Sequence, residues 1–206
     1  MTQITIARAG EAALHAPLLD SMYRLRTDVF HHRLGWEVRV ENGREHDWFD
    51  LIGPYYVVAH EASSSEPHAV GCCRLLPTQG PNMLRDIFPF LADGSAVPVG
   101  PRIWEISRFA VAEDHTRGLY GFSDLPTTMM AEVMRFAASR GIEAIVGVTS
   151  APFERMLLKL GLQLHRLGEP RRIGNVKSLA FYLPVSDQNL LALGVEPVHA
   201  TLAEAA

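Results

Sequence analysis

The chain has 206 residues, of which 48% are hydrophobic and 20% charged, and its net charge is −4 at neutral pH. These values are ordinary for a soluble globular protein and indicate a single domain over residues 1–206. The negative charge gives no general case for nucleic-acid binding. No apolar run reaches the roughly 20 residues that cross a bilayer, so no membrane partner is expected.

Two further features of the sequence concern the compartment of the protein. The N-terminus lacks the basic start and apolar core of a secretion signal. Cys72 and Cys73 are adjacent, which excludes a disulfide framework and a spaced metal site. We therefore expect a cytoplasmic protein with reduced thiols.

The first half of the chain predicts one helix and a hairpin. Apolar residues at positions 18, 22, 25 and 29 follow helical spacing and predict an amphipathic helix from about Leu14 to His31. Residues 55–59 and 69–75 predict two paired strands, joined by a loop at 62–67. A proline-rich connection with a short helix around Met83 follows.

Strands and helices alternate in the second half. The predicted strands are 103–111, 142–149, 162–167 and 176–183. The predicted helices begin at Ser123–Pro126 with Asp124 as N-cap, at Pro152 and at Asp187, and Gly141, Gly161 and Leu193 end them. This order predicts an α/β fold, a mixed-sheet α/β sandwich that resembles the acyl-CoA N-acyltransferase fold.

Charged and aromatic side chains are concentrated between residues 23 and 50, where Arg26, Phe30, Trp36, Asp47 and Asp50 lie. This density exceeds what a plain core element carries. Its character suits a ligand that combines a cation, a carboxylate and an aromatic ring.

Several separated motifs occur in one order along the chain. They are Arg26-x3-Phe30, Leu34-Gly35-Trp36, Glu45-x-Asp47-x2-Asp50, Gly71-Cys72-x-Arg74-Leu75-Leu76-Pro77-Thr78 and Trp104-Glu105-x-Ser107-Arg108-Phe109. In these motifs the chain resembles the acyl-homoserine-lactone synthases of the autoinducer type, over about residues 20–183.

The resemblance implies a reaction. Such enzymes acylate the amine of S-adenosylmethionine from acyl carrier protein, and the methionine carboxylate then closes the lactone and expels methylthioadenosine. No cofactor is implied, because S-adenosylmethionine is a substrate. The implied catalytic residues are Glu105, Arg108, Arg74, Asp47 and Asp50. The residues implied to bind S-adenosylmethionine are Arg26, Phe30, Trp36, Asp47 and Arg108.

The residue types fit this chemistry, although each has a structural alternative. Glu105 is our candidate for accepting the amine proton, and a structural ion pair with Arg108 or Arg74 is the alternative. The arginines could hold a carboxylate or brace buried aspartates, and Phe30 could be a core residue. In a regular strand Glu105 and Arg108 point to opposite faces, unless a β-bulge intervenes.

The acyl chain needs an apolar tunnel, which strand 145–149 and its neighbours could line. The expected lining residues are Gly147, Thr149, Met156, Leu157 and Phe88. Within the family, 3-oxo preference is associated with threonine at the position aligned with Gly147. We therefore predict a medium-length acyl group with an unsubstituted β-carbon, while Thr149 could partly replace the missing hydroxyl.

The segment 142–183 contains six basic and three acidic residues, a charge of +3 within an acidic chain. This contrast favours an acidic macromolecular partner, and a solvated face is the alternative. The expected carrier-protein docking residues are Arg155, Lys159, Arg166, Arg171 and Arg172.

Three other interpretations remain. A metal site at His31, His32, His46, Asp47 and Asp50 matches no ligand spacing. An acyl-CoA-dependent N-acyltransferase would need closely spaced glycines to hold a pyrophosphate, and the stretch 115–121 has them three apart. A non-catalytic ligand sensor on the same fold is the third.

Overall fold

The computed structural model describes residues 2–61, 67–116 and 124–197. In these ranges the strands are β1 (Thr2–Arg8), β2 (Val40–Glu41), β3 (Arg44–Glu45), β4 (Tyr55–Glu61), β5 (His68–Pro77), β6 (Ile103–Val111), β7 (Ala144–Ser150), β8 (His165–Arg166), β9 (Arg171–Ile173) and β10 (Val176–Pro184). The α-helices are α1 (Ala16–Arg26), α2 (Met83–Asp86), α3 (Leu125–Ser139), α4 (Ala151–Lys159) and α5 (Asp187–Ala192). A π-helix, Thr27–Arg33, continues α1.

One large sheet has the strand order β1-β4-β5-β6-β7-β10-β8, and β9 also pairs with β10. Strands β6 and β7 are parallel, whereas the other pairs are antiparallel. Helix α1 covers one face with Val58 and Cys72, and helices α3, α4 and α5 cover the other with Val57 and Cys73. Neighbouring residues alternate between the faces, as strand geometry requires. The predicted mixed-sheet α/β sandwich is confirmed.

The parallel strands β6 and β7 separate halfway along their length. Their paired residues run from Ile103 opposite Ala144 to Ile106 opposite Gly147. Beyond Ile106, β6 continues to Val111 and β7 to Ser150 without pairing with each other. The gap between their C-terminal halves leaves room for a ligand within the sheet.

The predicted first helix is a composite of α1 and the π-helix. The Leu34 N–H bonds to the Val29 carbonyl, five residues back, which is the π pattern, and such wider turns are frequent at functional sites. Phe30 lies within this wider turn and lines the gap between β6 and β7.

The predicted strand 162–167 is wrong over its first half. The Leu162 N–H bonds to the Leu157 carbonyl at 3.2 Å, and Gly161 has φ of 89°. These residues therefore end α4 in the manner of a Schellman motif, and only His165–Arg166 pairs with β10. Strands β1 and β9 and the β2–β3 hairpin were not predicted from the sequence.

The other predicted elements agree with the structure to within a few residues. Helix α3 follows Asp124, but this side chain accepts no capping hydrogen bond from the part of the chain that is described. Residues 62–66 of the predicted loop, Ser123 and the tail from residue 198 lie outside the described residues. None of the described helices has the length and apolar character to cross a membrane.

Candidate active site

A cavity of about 740 Å³ occupies the gap between β6 and β7. The N-terminus of α4 and the strand β10 extend its wall on one side, and the π-helix with the loop after it closes another. The lining residues that set its chemistry are Phe30, Trp36, Glu105, Ser107, Arg108, Phe109, Val148, Thr149, Phe153 and Met156.

A β-bulge in β6 brings Glu105 and Arg108 to the same cavity. Arg74 pairs with Ser107 and Cys72 pairs with Ala110, so two residue steps on β5 oppose three on β6. Arg108 lies in the bulge with φ of 53°, a conformation that is uncommon for residues other than glycine. Both side chains line the cavity, which resolves the geometric question left by the sequence.

Beside the cavity, three arginines and three carboxylates form one continuous ion-pair cluster. Its members are Arg26, Arg74, Arg108, Glu45, Asp47 and Asp50. The formal charges cancel, as burial of so many ions requires. Glu45 was not among the expected site residues, although its motif was recognised.

Arg26 and Asp50 form the interior of this ion-pair cluster. Two parallel hydrogen bonds of 2.9 Å join the Arg26 terminal nitrogens to the Asp50 carboxylate, and Arg26 Nε donates to Glu45 Oε2 at 2.5 Å. Burial alone would raise the pKa of Asp50, but the charges of Arg26 and Arg74 outweigh it and hold that pKa well below 3.8. Neither Arg26 nor Asp50 lines the cavity, so they brace its wall.

Arg74 connects the buried part of the ion-pair cluster to Ser107, a residue of the cavity lining. Its terminal nitrogen donates to Asp47 at 2.5 Å and to Asp50 at 2.8 Å, and its Nε donates to the Ser107 hydroxyl at 3.2 Å. Tyr56 completes the polar contacts of Asp50 by donating its hydroxyl proton at 2.8 Å. Tyr56 and Ser107 are polar groups that the sequence analysis did not select, because each sits in an otherwise ordinary strand.

Arg108 is the arginine of the cluster that faces the cavity. It binds Glu45 through Nε at 3.1 Å and Asp47 through a terminal nitrogen at 2.9 Å. Its other terminal nitrogen lies 3.2 Å from the Met83 sulfur. This nitrogen has no carboxylate partner among the described residues and is available to a ligand carboxylate.

Glu105 is buried but presents an oxygen without a partner. Its Oε1 accepts a hydrogen bond from the Leu84 N–H at 2.5 Å, and Oε2 has no hydrogen-bond partner in the described part of the chain. Burial raises the pKa of Glu105 above 4.5, against the opposing effect of the Leu84 and Met83 N–H groups. Glu105 forms no ion pair within the described ranges, which argues against the alternative of a structural ion pair with Arg108 or Arg74. A carboxylate in this state can accept a proton from a group in the cavity.

Aromatic rings form the wall next to Arg108. Phe30 and Trp36 are stacked, with ring centroids 5.3 Å apart and planes inclined by 17°. The Arg108 guanidinium lies 5.4 Å from the Phe30 centroid. Trp36 Nε1 has no hydrogen-bond partner in the described segments. This wall can contact an aromatic or cationic group and can donate one hydrogen bond.

Other residues of the cavity lining are apolar or carry a hydroxyl group. Thr149, Met156 and Phe88 line the cavity, as expected for an acyl pocket. Leu157 does not, because it is buried in the main core against α3. Gly147 is also not a lining residue, since a Cβ there would lie 2.5 Å from the Ile106 carbonyl oxygen. The backbones at this pairing leave no space for the threonine side chain considered from the sequence.

The expected docking residues are all exposed but differ in their partners. Arg166 binds Glu154 with two hydrogen bonds of 2.6 and 2.8 Å, and Arg171 binds Asp93 at 2.5 Å. Arg155, Lys159 and Arg172 form no ion pairs with described residues. Among the residues described, no group of histidine, cysteine and carboxylate side chains is arranged to hold a metal ion.

The mixed sheet with its two parting parallel strands has the fold of the N-acetyltransferases. A solved protein of Lactobacillus plantarum assigned to the N-acetyltransferases is 12% identical with a TM-score of 0.59, covering 90% of this chain and 99% of its own. At this identity the similarity shows the fold alone.

Closer similarities identify the family. Residues 11–193 match the family described as autoinducer synthase. The acyl-homoserine-lactone synthase of Pseudomonas aeruginosa is 36% identical over 176 residues, which cover 85% of this chain and 87% of that protein. The crystal structure of the synthase LasI has a TM-score of 0.85 at 34% identity, covering 96% of this chain and 98% of that one. The CoA-dependent synthase BjaI, solved with SAM and isopentyl-CoA, has a TM-score of 0.81 at 29% identity, covering 94% and 88%.

The chain therefore belongs to the autoinducer synthase family of acyl-homoserine-lactone synthases, which are acyltransferases that make quorum-sensing signals. The resemblance inferred from the sequence motifs is confirmed.

Proposed function

We propose that this enzyme transfers an acyl group from acyl carrier protein to the amine of S-adenosylmethionine and then closes the N-acyl-homoserine lactone with release of methylthioadenosine. The observation that carries the proposal is a single cavity that is lined by charged, aromatic and apolar residues and includes the buried carboxylate of Glu105 in its wall. The reaction needs no cofactor and takes place in the cytoplasm, where both substrates are made.

The part of the cavity lined by Arg108, Phe30 and Trp36 suits S-adenosylmethionine. Its carboxylate can bind the terminal nitrogen of Arg108 that has no carboxylate partner. Its sulfonium and adenine can contact the stacked rings of Phe30 and Trp36. Glu45 and Asp47 hold Arg108 in place, so the site is formed before the substrate binds.

Glu105 starts the reaction by accepting a proton from the substrate ammonium group at Oε2. The free amine then attacks the thioester carbon, the amide bond forms, and the carbon–sulfur bond breaks to release the donor thiol. In the second step a carboxylate oxygen of the substrate attacks its own γ-carbon. The carbon–sulfonium bond breaks, and methylthioadenosine leaves as a neutral molecule.

The acyl donor is supported by surface charge. The exposed basic residues Arg155, Lys159 and Arg172 suit an acidic carrier protein. A coenzyme A donor is the second candidate, because BjaI is described as CoA-dependent. Most of the stretch 115–121, where a pyrophosphate would be held, lies outside the described residues.

Mass spectrometry of lactones from a heterologous host expressing this chain tests the proposal. We expect N-acyl-homoserine lactones that are absent from the vector control and reduced about 10²-fold or more in a host expressing the Glu105→Gln variant. Wild-type protein that is folded and abundant but yields no lactone would contradict the proposal and favour a ligand sensor.

A further inference from the structure

The cavity contains more positive charge than its reaction centre uses. Four basic residues line it, namely Arg33, Arg108, Arg155 and Lys177, and Glu105 is the acidic residue among the described lining. Arg108 is neutralised by Glu45 and Asp47. The other three cations have no ion-pair partner within residues 2–61, 67–116 and 124–197.

These cations are unsuited to S-adenosylmethionine, which has two positive groups and one negative group at neutral pH. An additional cluster of cations would repel it. The excess charge therefore indicates an anionic part of the other substrate. Resting on the proposed function, we propose that Arg155 and Lys177 bind the phosphate of the phosphopantetheine arm of the acyl donor, whether a carrier protein or coenzyme A bears that arm.

Arg155 and Lys177 are placed on adjoining elements at one end of the cavity. Lys177 is followed in β10 by Ser178, which pairs with Ser150 at the end of β7. Helix α4 begins at the residue after Ser150. Arg155 lies one turn into α4, which contacts β10. An arginine fork and a lysine ammonium on adjacent walls are suited to a phosphate between them.

The depth of the cavity matches the length of the arm. Glu105 is level with Val146 on β7, and Lys177 is level with the residue after Ser150. Five residue steps at the rise of a strand give roughly 17 Å. The arm has about thirteen bonds between its sulfur and its phosphorus. If each bond advances as far as a bond of an extended polypeptide backbone, the arm spans about 15 Å. A phosphate at Arg155 and Lys177 thus lets the thioester reach Glu105.

Neighbouring cations differ from this pair. Arg166 and Arg171 are already held by Glu154 and Asp93, and neither lines the cavity. Lys177 stands directly opposite Arg172 on β9, and two like charges in such a cross-strand pair are unfavourable unless an anion binds beside them. Arg155 and Lys177 therefore differ from Arg166 and Arg171 in lining the cavity without an ion-pair partner among the described residues.

Binding of the arm alone tests the proposal without turnover. Calorimetric titration compares 4′-phosphopantetheine with pantetheine, which lacks the phosphate. We expect wild-type protein to bind the phosphorylated form about tenfold more tightly, and the Arg155→Met/Lys177→Met variant to bind both forms equally. The Arg102→Met/Arg135→Met variant removes two exposed cations outside the cavity and should keep the preference. Equal binding of both forms by wild type, or an unchanged preference in the first variant, would overturn the proposal.

Turnover separates the two sources of the arm. Acyl-carrier-protein and acyl-CoA both bear the phosphate, so the Arg155→Met/Lys177→Met variant should raise KM about tenfold for both and leave KM for S-adenosylmethionine unchanged. A rise confined to acyl-carrier-protein would show that the pair contacts the carrier surface and would refute phosphate binding. If wild type makes no lactone with any donor, the proposed function fails, and the calorimetric result still decides the phosphate site.

Discussion

Replacing Glu105 with glutamine isolates the proton-accepting step, because it changes little else in the structure. Glutamine keeps a side-chain oxygen for the Leu84 N–H, which Glu105 Oε1 binds at 2.5 Å. The altered atom replaces Oε2, which is buried and has no hydrogen-bond partner in the described chain, and Glu105 is a residue of the cavity wall. The Glu105→Gln variant should therefore fold normally.

The expected loss of activity follows from the role of Glu105. General base catalysis contributes about 10²- to 10⁴-fold, and a 10²-fold loss of kcat corresponds to about 2.7 kcal/mol in the activation barrier. Because burial raises the pKa of Glu105 above 4.5, the wild-type rate should fall on the acid side with a midpoint above 4.5. The Glu105→Gln variant should not show this decrease of rate at acid pH.

Stability supplies an independent check. A raised pKa means that the proton on Glu105 stabilises the folded state below pH 4.5, and this contribution disappears as pH rises through the folded pKa. Glutamine does not titrate. The melting temperature of the variant minus that of wild type should therefore rise as the pH rises from 4.5 through the folded pKa of Glu105, and stay constant above it.

The assay is release of free thiol and of methylthioadenosine at saturating S-adenosylmethionine, from pH 5 to 9. Glu154→Gln is the matched control, because Glu154 is equally buried but binds Arg166 and does not line the cavity. With a carrier-free thioester it should retain wild-type kcat. Near-normal turnover of Glu105→Gln at neutral pH, with an unchanged acid limb, would refute the role of Glu105.

Three further predictions follow from the structure. Arg26→Met should destabilise the fold by about 3–5 kcal/mol in denaturant titration, because it removes one of the two arginines paired with Asp50 and leaves three carboxylates with two arginines in the buried cluster; a loss below 1 kcal/mol would contradict the scaffold role. Gly147→Ala should lower the free energy of unfolding by about 1–3 kcal/mol, because the added Cβ would press on the Ile106 carbonyl. An unchanged melting temperature would show that the strands can move apart to accommodate it. Lys159→Glu should raise KM for acyl-carrier-protein but not for acyl-CoA, and higher salt should raise the wild-type KM for acyl-carrier-protein; no effect of the substitution or of salt would show that Lys159 lies on a solvated face without a partner.

The acyl-group prediction now depends on Thr149. The absence of a hydroxyl at Gly147 is consistent with the expected unsubstituted β-carbon, but a side chain at this position cannot serve as the test. Thr149 supplies a hydroxyl within the cavity lining. Competition between equal-length acyl and 3-oxoacyl donors decides the matter, and a wild-type preference for 3-oxo chains would contradict the prediction.

Periodicity and turn residues predicted the elements that are long and regular. The alternation of 55–59 and 69–75 and the proline and glycine punctuation of α3 and α4 were sufficient for the layered fold. They could not predict β1, whose residues are mostly half-exposed on an edge strand and show weak alternation. The strand expected at Leu162 was wrong because the same apolar residue serves to close the end of α4.

The site was predictable in residue type but less so in arrangement. The motifs contain all six members of the ion-pair cluster, and all but Glu45 were selected as site residues, together with their neighbours Phe30 and Trp36. They could not distinguish Arg26, which is buried in the wall, from Arg108, which lines the cavity. That distinction arises from one extra residue in β6, and neither periodicity nor composition reveals a bulge.

The most direct test of the account is the stoichiometry of the reaction of the purified enzyme. S-adenosylmethionine labelled in its methionine carbons is incubated with an acyl-carrier-protein thioester, and the products are quantified by mass spectrometry. We predict equal amounts of labelled N-acyl-homoserine lactone, methylthioadenosine and free carrier thiol. Thiol release without labelled lactone, or acylation of another amine, would contradict it.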